Sequence, residues 1–379
     1  MRLRALFLFG CIAFGAASGC RPPHSVTTPA TPPEPDSAKR QEMSALAFIA
    51  YLGESLQGSD DEVERQLFPC LTRELAKQPL TRDKWTLAWG PAVYKFALAD
   101  LDDNMMYVVR DAANPAHLAI AVRGTNAKAI LDWLIEDFEV HKQAAWPYGN
   151  PPRRAKIAKG TSDGLRILQT MVAASGPAPN QTLSDFLAGE TERLGALQID
   201  VTGHSLGGAL SPTLTLWLAD TRSSWDPSGS AQLAVYPLAG PTAGNVAFAA
   251  YSDSRIGVAA DRLHNPFDVV PLAWNVETMG TIADLYEPLT RADEVLRSLI
   301  DGARDLVKHK GYSQIMPDAP PLPGALNDAD ASFLEQVGWQ HTCGYHCALG
   351  LVGSTFLPVT LDCNTDPPSP CPVCPSASQ

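Results

Sequence analysis

The feature that most constrains this 379-residue chain is the pentad Gly203-His204-Ser205-Leu206-Gly207, together with what stands on either side of it. Upstream, LQIDVTG (197–203) carries β-branched residues at alternate positions and reads as a short buried strand. Downstream, LGGALSPTLTLWLAD (206–220) reads as a helix in spite of Pro212. A Gly-x-Ser-x-Gly alone is a weak signal, but a strand, a sharp turn and a helix in direct succession are what an exposed nucleophilic serine demands. The serine in such a turn is strained, and neighbours without Cβ let strand and helix approach closely. Its Oγ then stands over the helix N-terminus, where the dipole favours developing negative charge.

The surrounding pattern supplies layers for that turn. MMYVVRD (105–111), HLAIAVRG (117–124) and AQLAVYPLAG (231–240) read as strands. Met43–Leu52, Val63–Lys77, ILDWLIEDFEV (130–140) and DGLRILQTMVAA (163–174) have helical period. Strands alternating with helices predict an α/β fold, a mainly parallel central sheet flanked by helices. No internal repeat is present.

Four blocks carry a family resemblance. VTGHSLGGAL (201–210) resembles the serine elbow of the class 3 lipases, the α/β-hydrolase branch of fungal-type triacylglycerol lipases. AVRGTNAKAILDWLIEDF (121–138) is similar to that family's Arg-Gly-Ser/Thr block and the helix after it. YPLAGPTAGNVAFAAY (236–251) resembles the segment following the elbow, and RLHNPFDVVPLA (262–273) the block carrying the catalytic acid. One departure is AKGTSDGL (158–165), where relatives carry His-x-Gly-Phe.

A nucleophilic serine needs a base, and the base an orienting acid, in this fold in the chain order Ser, Asp or Glu, His. With Ser205 as nucleophile, the resemblance makes Asp268 the acid, leaving Asp261 and Asp284 as surface charges or caps. His341, in QHTCGY (340–345), matches the catalytic-histidine segment of bacterial relatives; His346 is the alternative, and His309 in LVKHKG reads as a helix-end cap. For the oxyanion, elbow geometry supplies the backbone N–H of Leu206, and the resemblance adds Thr125. Ile130, Leu131, Trp133, Leu134 and Phe138 then form either an amphipathic helix packed on the sheet or a lid over the site; the resemblance implies the lid. An insertion (275–335) between acid and base, largely helical over 278–308 and proline-rich over 313–326, either shapes an acyl pocket or is a surface excursion.

The ends of the chain read differently from its middle. Arg2 and Arg4 precede an apolar run, Ala5 to Phe14, too short to span a bilayer and suited to a signal peptide over 1–19. ASGC (17–20) resembles a bacterial lipobox, with Cys20 the acylated residue, although Ala17 stands where such boxes usually carry Leu; ordinary cleavage near Ala17 to Gly19 is the alternative. Residues 20–40 form a Pro-rich linker, 41–362 the hydrolase domain and 363–379 a Cys- and Pro-rich tail. If Cys20 is acylated, six cysteines beyond it suggest up to three disulfides in an oxidising compartment. Cys371-x-x-Cys374 lacks the second ligand pair of a zinc site, so neither metal nor cofactor is expected. With 29 basic against 41 acidic residues there is no basic surplus to bind nucleic acid. The expectation is an exported serine hydrolase of carboxylic esters, membrane-tethered at Cys20: a triacylglycerol lipase first, with a phospholipase or soluble-ester esterase on the same machinery. The alternative of another class is an inactive surface lipoprotein on a hydrolase scaffold.

Overall fold

The computed structural model describes residues 36–54, 56–95, 103–124, 139–330 and 332–351. Cys20, Thr125, the expected lid residues 130–138 and the tail 363–379 lie outside these. A five-stranded sheet has the order β1 (Trp85–Lys95), β2 (Asp103–Asp111), β3 (His117–Val122), β6 (Gln198–His204), β7 (Gln232–Leu238). A small antiparallel sheet joins β4 (Gln143–Ala145), β5 (Lys156–Ala158), β8 (Gly244–Asn245) and β9 (Tyr312–Ser313).

The central sheet is mixed rather than mainly parallel. β1, β2 and β3 pair antiparallel, while β3, β6 and β7 are parallel. The reason is connection length. Residues 112–116 between β2 and β3 are too few for a crossover, whereas the path from β3 to β6 runs through α3 (Lys159–Thr170) and α4 (Leu183–Leu194). β6 leads through the elbow into α5 (Leu206–Asp220) and so to β7.

β3 is buried along its whole length, as befits a strand covered on both faces. Its side chains alternate between two cores. Leu118, Ile120 and Val122 join Ile199, Val201, Leu210 and Leu214 on one face. Ala119 and Ala121 join Leu46, Ile49, Leu71 and Tyr107 on the other, where α1 (Ser37–Ile49) and α2 (Asp60–Lys77) pack. α1 is also held by charge: Lys39 Nζ lies 2.7 Å from Asp200, and Arg40 makes a bidentate pair with Asp261 at 2.6 Å.

Beyond β7 come α6 (Val246–Ile256), α7 (Val276–Met279), α8 (Glu294–Val307), α9 (Phe333–His341) and α10 (Cys343–Ala348). The insertion between acid and base is a packed layer rather than a surface excursion. Trp274, Met279, Ile282, Tyr286, Ile300 and Val307 form a third core with Phe333 and Val337, and Leu206 of the elbow packs against it. Less of it is helical than its periodicity suggests, because Glu287-Pro288 breaks the run before α8. Among the described residues no helix is long and apolar enough to cross a membrane.

Candidate active site

Ser205 sits between β6 and α5 at φ 59°, ψ −124°, a left-handed conformation that only a rigid surround sustains in a residue with Cβ. That surround is backbone. Ser205 N–H donates to Leu238 C=O at 3.0 Å, and the Ser205 carbonyl accepts from Gly208 at 2.8 Å. A Cβ at Gly203 would stand 2.4 Å from the Gly207 carbonyl, and one at Gly207 2.3 Å from the Val122 carbonyl. Strand and helix are therefore closer than any side chain permits. Leu206 opens α5, so its N–H is among the first-turn amides with no intrahelical acceptor. The end of β3 leads to this point: a Cβ on Gly124 would lie 3.0 Å from Leu206 N. Thr125, the next residue, lies outside the described residues.

Asp268 is fully buried beyond β7. Its Oδ1 accepts from Val270 N–H at 3.0 Å, and its Oδ2 accepts from His341 Nδ1 at 2.8 Å and Tyr345 Oη at 2.9 Å. Tyr345 Oη in turn accepts from Asn265 N–H at 3.0 Å. Burial, with the Asp268 charge beside it, pushes the Tyr345 phenol well above its ordinary pKa, so it remains a neutral donor. His341 is the last residue of α9 and is fully buried. With Nδ1–H given to the carboxylate, the neutral ring presents Nε2 as an acceptor, and Nε2 has no protein partner among the described residues. That is the state a general base must be in.

The other candidate acids and bases have other surroundings. His346 lies on α10 with its ring 4.3 Å from Phe48, and burial pushes its imidazole down to about 4. Asp261 pairs with Arg40, Asp284 with Arg297, and His309 is exposed beyond the end of α8. The segment carrying His341 and His346 is two short helices, α9 and α10, joined at Thr342. No group of His, Cys, Asp or Glu among the described residues has the geometry to hold a metal ion.

Two residues at the site were not singled out from sequence. His204, the variable position before the serine, is buried with Nδ1 2.9 Å from Tyr51 Oη and Nε2 2.8 Å from the His341 carbonyl. Tyr51 follows α1 and gives no local signal, because it reaches the elbow only through the packing of that helix on β6.

This architecture is that of an α/β-hydrolase. Residues 119–277 match the family described as Lipase (class 3). The crystal structure of M37 lipase is 35% identical, covers 83% of this chain and 92% of its own, and superposes with a TM-score of 0.77. The chain belongs to the class 3 lipase family. Among curated proteins, the chloroplastic Phospholipase A1-Igamma2 of Arabidopsis thaliana is 28% identical over 237 residues, 60% of this chain; the chain spans only 42% of that plant protein's length.

Proposed function

We propose that the protein hydrolyses carboxylic esters of lipids, triacylglycerols first, through Ser205, His341 and Asp268. Ser205 Oγ attacks the ester carbonyl while its proton passes to His341 Nε2, and Asp268 stabilises the imidazolium. The tetrahedral oxyanion is held by the N–H of Leu206 and by Thr125. Collapse expels the alcohol with the proton from His341, and water attacks the acyl-enzyme by the same route in reverse. No cofactor takes part. The observation that carries this reading is the buried His341–Asp268 pair, its Nε2 without a protein partner among the described residues, with the His341 carbonyl bonded to the residue that precedes a serine held at positive φ. Likeness to M37 lipase supports a lipid substrate. Likeness to a plant phospholipase A1 favours phospholipid as the second choice.

The test is hydrolysis of p-nitrophenyl esters of short to long acyl chain, then emulsified triacylglycerol and phosphatidylcholine, by wild type and Ser205→Ala. A fall of about 10³-fold or more is expected for the variant. Activity surviving the substitution excludes Ser205 as nucleophile, and a preference for short soluble esters with no gain at an interface leaves an esterase.

Export with acylation at Cys20 belongs to the same proposal. Cys70, Cys343 and Cys347 are each disulfide-bonded, which suits an oxidising compartment and so supports export. Mass spectrometry of the mature protein should find an acylated N-terminal Cys20; an unmodified N-terminus overturns the anchor.

A further inference from the structure

The buried histidine next to the nucleophile has no part in proton transfer, yet both its ring nitrogens are engaged. His204 Nε2 lies 2.8 Å from the His341 carbonyl, which only accepts, so this nitrogen carries the hydrogen. Nδ1 is then a lone pair, and Tyr51 Oη, 2.9 Å away, donates to it. The reverse tautomer would set a lone pair against a carbonyl oxygen in a buried place. The doubly protonated ring is opposed by burial first, then by the charges of His341 and His346 when those are protonated, and these push the His204 pKa well below its ordinary value. The rings of His204 and His341 lie 4.6 Å apart, with Phe48 4.9 Å from His204 on another side.

The consequence is positional. Ser205 is fixed to β6 and α5, whereas His341 comes from α9, more than a hundred residues later and on a separate element. Asp268 holds the His341 ring through Nδ1, but a hydrogen bond to a ring does not fix the main chain that carries it. His204, one peptide from the nucleophile, grips that main chain directly. Resting on the assignment of Ser205 and His341 above, we infer that His204 is a positioning residue, locked by Tyr51 as the neutral Nε2–H tautomer, that sets the distance between nucleophile and base by holding the His341 carbonyl.

The test compares His204→Leu, which cannot donate, with His204→Gln, whose amide can donate to the same carbonyl and accept from Tyr51. Each is measured on a soluble short-chain ester, with active sites counted by a phosphonate that labels the serine. His204→Leu should lower kcat about tenfold or more with KM within about twofold, since misplacement of reacting groups acts on the barrier and not on binding. His204→Gln should recover most of that loss. Equal losses in Leu and Gln variants, or wild-type kcat in the Leu variant, overturn the proposal. Should His204→Leu not fold, imidazole ¹⁵N spectra of the wild type decide: a fixed Nε2–H tautomer with an Nδ1 resonance displaced in Tyr51→Phe supports it, and an Nδ1–H tautomer or a titrating imidazolium overturns it. Activity persisting in Ser205→Ala would instead remove the hydrolase reading, whatever the histidine does.

Discussion

Among the described residues Asp268 accepts three hydrogen bonds, and they divide between its two oxygens in a way that bears on turnover. Oδ1 is fixed by the Val270 amide, while Oδ2 is shared between the His341 ring and the Tyr345 phenol. A phenol bonded to a carboxylate stabilises its charged form and fixes its orientation, so Tyr345 steadies the group that steadies the base. Tyr345→Phe keeps the ring and removes one bond to a charged acceptor. It should lower kcat about tenfold, the equivalent of roughly 1.5 kcal/mol, with the melting temperature little changed. A variant with wild-type kcat would show that Val270 and His341 suffice to hold the acid. At this scale the sequence is legible where the backbone forces residue type. Gly203 and Gly207 are required because carbonyls fill the space a Cβ would occupy, so the elbow leaves a pattern in the chain. His204 and Tyr51 leave none, since the partners that surround the position before the serine come from distant parts of the chain: Tyr51 and Phe48 upstream, His341 downstream.

α1 shows what the sequence hides in an element and why. Its hydrophobic face is readable, yet its start at Ser37 comes from Asp36, whose carboxylate caps Ala38 and Lys39, ahead of the first apolar turn at Met43. β1 is missed for a different reason: Gly90-Pro91 interrupts Trp85–Lys95 and reads as a turn, but an edge strand accommodates proline, and bulges at Leu87/Trp89 and Trp89/Ala92 absorb the irregularity. The β4–β5–β8–β9 strands are too short to show any period. Lys39 of α1 closes a network in which Asp200 Oδ2 also accepts from His117 Nε2 at 2.7 Å, while His117 Nδ1 meets Asp111 at 3.1 Å. Burial alone would raise the Asp200 carboxyl, but the His117 hydrogen bond and the Lys39 charge outweigh it and hold the pKa below its ordinary value. A carboxylate depressed on folding contributes its stability above the unfolded value of about 3.9 and loses it as pH falls through the folded pKa. Asp200→Asn should therefore cost about 2 kcal/mol at neutral pH, and its deficit against wild type should shrink as pH falls from about 5 through the folded pKa. Thermal melts across that range check it; a deficit independent of pH would mean that shape, not charge, matters at this position.

On the scale of the whole molecule, the insertion between acid and base adds a layer to the site, because the elbow residue Leu206 packs against its core. α8 belongs to that layer, and its apolar face is wider than the part it buries. Ile300, Ala303 and Val307 point into the core, whereas Val295, Leu299 and Leu306, with Gly302 between them, form a neighbouring line at helical spacing that is 40–69% exposed at the three large side chains. A hydrolase of lipid esters must meet an aggregated substrate, and the overall acidity of the chain supplies no attraction to an anionic surface. Apolar contact must then do that work, and fully burying a Val or Leu side chain is worth roughly 1.5–3 kcal/mol. Serine at Val295, Leu299 and Leu306 together should leave kcat on a soluble short-chain ester unchanged, since all three side chains face solvent whereas the triad is buried. The same variant should lose about tenfold to a hundredfold in partitioning to phosphatidylcholine vesicles and to emulsified triacylglycerol, with little dependence on salt. Vesicle flotation read beside both assays separates the cases. An unchanged partition coefficient would place the lipid contact elsewhere on the molecule, and a parallel loss on the soluble ester would mean that α8 acts by shaping the pocket from behind.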